Sequence, residues 1–375
     1  SKLDYIIIKK IIMKYFTTIL IILLSLNTYS QKRKVFFNSP EGNYLISSDL
    51  HIHSVFSDGE VWPSIRVKEA RRDSLDLISL TEHLEYLSYR NDIIIPDRNR
   101  SYIVSKGLLQ KEEVLTVVNG TEITKPMPPG HFNAIFIKDA NPLLNPDGKI
   151  AIQEANNQGA FVFWNHPNWI ENRDDGIAIL DPLHKELLEK KLFHGIEVVN
   201  EHTYSEEALE IALSNNLTIM GTSDIHGLID WEYEKNKGGH RPITFIISKN
   251  RTIKSIRDAL FDQKTFVWHK DMLIGKEENI SPVMHENITI TSKGYYKKIV
   301  TVNIKNHSVV PFKLKYLGEY TFHSYNSFLE VPAKGEINVT IKTKKILDSI
   351  EMKFQFLNIV TAPKKFLEIT KSVDL

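Results

Sequence analysis

Apolar residues fall along this chain in two different rhythms, and the change comes near residue 275. Between residues 44 and 250 they gather in short runs that are apolar almost throughout, at 45–49, 75–80, 114–119, 133–137, 160–164, 195–199, 217–221 and 243–247. Runs of this length without alternation predict strands buried on both faces. The segments between them open on helix-start signals: Trp62 and Pro63 ahead of a helix to 72, then 149–157, 205–214 behind Ser205, and 252–261 behind Thr252. Strand and helix in turn predict a parallel sheet flanked by helices, and seven or eight such units fit a (β/α) barrel better than an open sheet.

Beyond 275, strands are predicted at 287–291, 298–304, 312–316, 335–342, 350–356 and 366–370, with Gly, Pro, Asn and Ser between them and no helical pattern. Ile337, Val339 and Ile341 share one face, as in a half-buried antiparallel sheet. The reading is an α/β domain over 31–275 and a small β-sandwich over 276–375, joined by a short polar link at 275–282. The sandwich holds no cluster of metal-type ligands, so it is expected to stabilise or dock and to supply no catalytic residue. Cutting the chain after Lys276 is expected to leave metal binding and turnover in the first domain within about tenfold.

The start of the chain has a different character. Met13 and Lys14 precede an apolar run over 15–26, then Thr28, Ser30 and a basic stretch at 32–34. A basic start, an apolar middle too short to span about 30 Å of hydrocarbon, and small residues after it read as a cleaved secretory signal. Residues 1–12 read as sequence upstream of a start at Met13. The expected location is the periplasm or outside the cell, with no stable membrane span once 1–30 is removed.

Composition narrows the chemistry. At 375 residues, about two domains are expected. The 47 basic residues nearly balance 46 acidic ones, which disfavours a nucleic-acid partner held by phosphate neutralisation. Cysteine is absent, excluding disulfide scaffolds, thiolate zinc sites and cysteine nucleophiles. Strong metal ligands must then be His, Asp or Glu, and there are 14 histidines.

Several of these sit at the C-terminal ends of predicted strands, where an α/β barrel builds its active site. Asp49, His51, His53 and Asp58 follow the first strand; Glu82 and His83 follow the second; Glu122 follows the third. His131 precedes the fourth strand, His166 follows the fifth within Asn165-His166-Pro167, and Asp224 and His226 follow the seventh. His51 and His53, two apart on a strand, point to the same face and can reach one ion. A lone strand-end histidine is more often a core or surface residue. With Asp49 and Glu82 set aside, nine ligand-type residues at one end of the strands are hard to assign to chance.

The ordered set resembles the PHP family, named for polymerase and histidinol phosphatase domains, over residues 44–270. With the export signal and the appended β-domain it is similar to secreted bacterial PHP phosphodiesterases. The resemblance implies a distorted barrel of seven β/α units and two to three divalent ions, usually zinc, manganese or iron. Carried over, His51, His53, Glu122 and Asp224 would hold one ion. Glu122 would bridge to a second, held also by His131 and His166, while Asp58, His83 and His226 would hold the third. Glu82 stands where the family commonly has Asp, and Asp58 where some members have His.

Clustered ions of this kind lower the pKa of a bound water to near 7 and hold both oxygens of an in-line displacement, which suits phosphoester hydrolysis. Glu122 and Asp224 are thus candidate catalytic residues as well as ligands. No Gly-x-Ser-x-Gly elbow and no P-loop lysine motif appears. Arg241 could bind a phosphate oxygen, or it could simply pair with an acid. Asn200, Glu201, His202 and Tyr204 follow the sixth strand and could line the pocket; His202 or His240 could protonate a leaving group. Trp164 and Trp169 could wall the site or pack in the core. His184, His194, His269, His285, His307 and His323 read as structural or surface residues. The expected partner is a small-molecule phosphoester. The competing activity is an amidohydrolase-like attack on C–N or C–O bonds. A metal-stabilised binding platform is disfavoured, because a structural site leaves no open coordination position.

Overall fold

The computed structural model describes residues 33–375, so the segment read as upstream sequence and secretory signal, 1–30, lies outside the described residues. The first half provides strands β1 (Tyr44–Asp49), β2 (Leu77–Ile78), β3 (Thr116–Val117), β4 (Gly120–Ile123), β5 (Phe132–Ile135) and β6 (Phe161–Trp164). Then follow β7 (Gly195–Asn200), β8 (Thr203–Tyr204), β9 (Thr218–Thr222), β10 (Ile243–Ser248), β11 (Thr265–His269) and β12 (Met272–Gly275). Helices Pro63–Arg72, Gly148–Asn157, Glu206–Ser214 and Ile253–Phe261 fall where their caps predict. Ser205 accepts from Ala208 and Thr252 from Ser255, so both act as N-caps.

The sheet is not uniformly parallel. β1–β2–β3 and β6–β7–β9 pair in parallel. By contrast, β10 runs antiparallel to β1 and β11, β11 to β12, and β4–β5–β6 are antiparallel throughout. An apolar run shows only that a strand is covered on both faces. Direction is set by the connection, and the segment between β11 and β12 is far too short for the crossover a parallel pair needs. One sheet orders its barrel strands β12-β11-β10-β1-β2-β3 and the other β4-β5-β6-β7-β8, with β9 on β7. Ile46, Leu77 and Ile246 of the first pack against Ile135, Phe161, Phe163 and Met220 of the second. Single bridges Ile52–Ile225 and His83–Glu122 join the sheets at the strand ends that carry the ligand-type residues.

The remaining strands are β13 (Ile288–Tyr296), β14 (Ile299–Asn306), β15 (Phe312–Tyr316), β16 (Thr321–Phe322), β17 (Phe328–Val331), β18 (Glu336–Lys342), β19 (Ser349–Ala362) and β20 (Lys365–Asp374). β13-β14-β18-β16 form one sheet, while β17, β15, β19 and β20 extend the barrel's own sheet. The join is β19: Phe354 and Phe356 pair with β15, and just beyond them Ile359 and Val360 pair with Leu273 and Ile274 of β12.

The polar link expected at 275–282 is instead part of a helix, Glu277–Asn287, whose Ile280, Val283 and Met284 are fully buried. Pro282 and two asparagines mask its helical pattern. Its apolar face belongs to a continuous core running from Phe245 and Phe266 to Ile304, Phe312 and Phe356. Phe36 and Phe37 pack edge-on against Phe245, and the Phe36 carbonyl accepts from Val309 at 3.1 Å.

The first domain therefore does not end in a free surface at Lys276. Each buried Ile, Val or Met side chain contributes about 1.5–3 kcal/mol, against a total stability of about 5–15 kcal/mol. A chain cut after Lys276 is expected to be insoluble or to lack a cooperative thermal transition. A soluble 33–276 fragment melting cooperatively by circular dichroism would show that the shared core is dispensable.

Candidate metal centre

Glu122 lies in β4 with no exposed surface, and its main chain is fixed from both sides: its N–H donates to Glu82 at 2.9 Å and its carbonyl accepts from Leu84 at 3.0 Å. Its side chain looks into a ring of imidazoles. Oε2 is 3.6 Å from His51 Nε2, 3.5 Å from His53 Nε2 and 2.7 Å from His83 Nδ1. Oε1 is 2.9 Å from His131 Nδ1 and 3.7 Å from His166 Nε2. Asp224 closes the inner side, its Oδ1 lying 3.0 Å from His51 Nε2 and 2.9 Å from His53 Nε2. On the outer side Asp58 lies 3.3 Å from His83 Nε2 and 3.2 Å from His226 Nε2.

All nine residues named by motif therefore stand together. Three groups have ligand atoms close enough to share an ion: His51, His53 and Glu122; His83, Glu122 and His131; and His53, Asp58, His83 and His226. This partition departs from the one implied by resemblance: His53 and His83 each fall in two groups, and Asp224 and His166 in none. His83 reaches both Glu122 and Asp58, so it stands between the middle and outer groups. The fit to a cation is seen in what is unpaired. His51 Nε2, His53 Nε2, Glu122 Oε2 and Asp224 Oδ1 are buried, lack hydrogen-bond partners and face one another. Buried polar atoms without partners are costly, and four converging ones are the donor set of a divalent ion.

Electrostatics agree. Burial opposes charge on His51, but Asp224, Glu197 and Glu122 outweigh it and hold the ring well above the ordinary imidazole value. Burial likewise opposes ionising Glu122 and Asp224, yet the surrounding imidazoles keep both carboxyls well below their usual range. His226 is lifted to about 9 against its burial, chiefly by the hydrogen bond to Asp58. His53 goes the other way, to about 3, through burial and its neighbours His226 and His83. The site concentrates negative charge that protons or metal ions must balance.

A crystal structure of a two-domain protein from Bacteroides vulgatus ATCC 8482, described as containing a predicted PHP-like metal-dependent phosphoesterase, is 39% identical to this chain. The match covers 92% of this chain and 99% of that one, with a TM-score of 0.85. The chain belongs to this PHP-like family. A family profile described as an Ig-like domain matches residues 288–372, which coincide with the β13–β20 region. An amidohydrolase from Chromobacterium violaceum with bound sulfate and no metal is 15% identical, with a TM-score of 0.36, over 48% of this chain and 87% of that one. PsfC from Pseudomonas syringae PB-5123 is 15% identical, with a TM-score of 0.43, over 60% and 92%. Likeness at that level carries no functional argument. Nothing among the curated proteins matches the chain.

The surroundings of the PHP-like cluster sort the other candidates. Arg241 does not face it: the guanidinium is 1% exposed and bonds Asp49 at 2.9 Å and Asp73 at 2.9 and 3.1 Å. Asp49 in turn accepts from both the N–H and hydroxyl of Ser223, the residue before Asp224. Arg241 is thus a buried ion-pair residue and not a phosphate ligand. His202 is exposed and lines a small cleft beside Asp224 and His226, together with Glu201 and Tyr233. Trp169 and Asn200 line the main cleft over the histidines, whereas Trp164 is fully buried with its ring stacked 4.1 Å from His184. His240 stacks on Trp268 and bonds main-chain carbonyls at Arg241 and Lys270, outside both clefts. Tyr204 lines neither cleft. Glu82 holds the loop after β1 through Ser54 and Ser57, and Gly59 closes that loop, where a Cβ would lie 2.6 Å from the Ser54 nitrogen.

Sequence reasoning missed Glu197. It is buried in β7 and accepts from His51 Nδ1 at 2.8 Å, the His166 N–H at 2.7 Å, Asn200 at 2.9 Å and Thr222 at 2.6 Å. The bond to Nδ1 fixes the His51 tautomer and turns its Nε2 lone pair toward Asp224. The signal was a single charge in the apolar run Gly195–Asn200. Glu197→Gln keeps the volume but offers an N–H where four donors converge. It is expected to weaken divalent-ion binding by about 10–100-fold in competition with a chromophoric chelator. Unchanged affinity in a folded variant would deny Glu197 this role.

Proposed function

We propose that this protein is a metal-dependent phosphoester hydrolase acting on small organic phosphoesters outside the cytoplasm. The observation that carries the reading is the set of four unpaired buried ligand atoms at His51, His53, Glu122 and Asp224, in a chain whose 39% identical relative is described as a PHP-like metal-dependent phosphoesterase. In this reading His51, His53, Glu122 and Asp224 hold one ion, Glu122 with His131 and His166 a second, and Asp58, His83 and His226 a third, with zinc, manganese or iron suited to the imidazole–carboxylate set. Bound ions supply a water of lowered pKa and charge stabilisation of the phosphoryl oxygens.

The chain's own residues orient and enclose. Asn165 donates to Glu122 Oε1 at 3.0 Å and, with Glu197, keeps the ligand carboxylate and imidazole in one orientation. The cleft above the cluster has a volume of about 190 Å³, the size of a small ester, and Trp169 offers a flat apolar wall for an organic leaving group. Among the described residues no Lys or Arg lines it, so the phosphate charge is left to the ions and histidines. His202, exposed in the adjoining cleft, is the candidate to return a proton to the leaving group.

The secretory signal read in the sequence at 1–30 supports a location in the periplasm or beyond. No described helix is long and apolar enough to cross a membrane.

Chelation is expected to abolish turnover of nitrophenyl phosphate or bis(nitrophenyl) phosphate, and zinc or manganese to restore it. Glu122→Gln should lower kcat at least about a hundredfold, and His202→Ala by less, because Glu122 is a carboxylate shared between ligand groups and His202 belongs to none. Metal-dependent turnover of nitrophenyl acetate or cyclic amides, with neither phosphoester cleaved, would favour the amidohydrolase-like reaction instead.

A further inference from the structure

The helix Pro63–Arg72 contributes no ligand and lines neither cleft at the centre, yet it holds a fully buried guanidinium at Arg66. Arg66 Nε donates to the His53 carbonyl at 2.7 Å. Nη1 donates to the Gly227 carbonyl at 2.7 Å and to Glu69 at 2.9 Å, and Nη2 to the carbonyls of His226 at 2.6 Å and Ile225 at 3.2 Å. An arginine has five N–H donors, and here five acceptors meet them. Glu69 completes the unit by accepting from the Ile229 N–H at 2.9 Å.

The acceptors belong to two loops far apart in sequence. One carries His51, His53 and Asp58; the other carries Asp224 and His226. Their main chains also bond directly, His53 to Ile225 at 3.1 Å and Glu60 to His226 at 2.9 Å. Three ligand pairs meet across this seam: His53 with Asp224 at 2.9 Å, His51 with Asp224 at 3.0 Å and Asp58 with His226 at 3.2 Å. Glu122, His131 and His166 come from other strands, and Arg66 does not touch them.

We propose that Arg66 is a positioning residue of the metal centre, fixing through the main chain the separation of the two loops that share the outer ion at Asp58 and His226. The inference rests on reading the cluster as a metal centre. An apolar residue of similar size could fill the space under these loops but would leave the carbonyls of His53 and Gly227 unpaired and those of Ile225 and His226 with a main-chain donor alone. A lysine could satisfy at most three of the acceptors, and without the planar fork. The effect is therefore selective: the outer ion at Asp58 and His226 and the inner ion at His51, His53 and Asp224 are both held across the seam, and the ion at Glu122, His131 and His166 is not.

The test is a titration of the chelated protein, without its signal segment, with Co²⁺, followed by visible absorption and calorimetry and paired with thermal melts of the metal-free forms. His226→Ala marks which binding step belongs to the outer ion. Arg66→Lys is expected to weaken that step and the step at His51, His53 and Asp224 by about 10–100-fold, while the step at Glu122, His131 and His166 stays within about threefold. Glu69→Gln should move the same steps less, and millimolar guanidinium should restore them in Arg66→Ala. Wild-type affinities for every step in Arg66→Lys would overturn the proposal, as would a uniform loss that follows the melting temperature. If Arg66→Lys does not fold, Glu69→Gln decides, and an unchanged outer step there overturns the proposal. A wild-type protein that takes up no ion would instead remove the metal-centre reading on which the proposal stands.

Discussion

A carboxylate with no exposed surface must find its compensation inside the protein, and Glu122 is the point at which this fold has to provide it. Leaving a lone charge there would cost several kcal/mol. The chain answers with five imidazoles from four segments, so strands β1, β2, β5 and β6 must all present their ends to β4. The bridge between His83 and Glu122 joins the two sheets where the ligands converge. Barrel geometry and ligand geometry are one constraint here, since loosening the sheet contact would also part the ligand atoms.

Around that carboxylate the buried charges form a graded series. Glu122 and Asp224 touch the would-be ions. Glu197 touches His51. Asp49 touches Ser223, and Arg241 ties Asp49 to Asp73, while Arg66 holds the main chain of the loops. Each step outward exchanges direct contact with a ligand for control of where that ligand's loop can sit. Three of these residues, Glu197, Arg241 and Arg66, have no or almost no exposed surface, a setting in which charged groups survive only when fully paired.

The clustered candidate residues were legible because local spacing suffices to read them: His51 and His53 share a strand face, and Asp224 and His226 follow a strand end. The supporting charges were not, since their meaning lies in partners far along the chain. Arg241 reads as a possible anion binder until Asp49, 192 residues away, is seen beside it. Glu197 shows only as a charge in an apolar strand, and Arg66 as one of several basic residues on a helix. Strand existence was likewise readable from apolar runs, whereas direction was not, because β10 and β11 look the same to a hydrophobicity pattern whichever way they run. The helix at Glu277–Asn287 was hidden by Pro282, and with it the merging of the two cores.

That merging bears on how the polypeptide can acquire its shape as it is made. β12 ends at Gly275 but takes its neighbour from Ile359 and Val360, and the segment at Phe36 is fastened by Val309. A chain emerging N-terminus first cannot complete its catalytic domain when that domain has been synthesised; it must wait for roughly the last fifth of the sequence. Domains of a nascent chain ordinarily fold in order of appearance. Here the Ig-like region acts as the closing piece, so a truncated or stalled product exposes apolar surface rather than leaving a half-active enzyme.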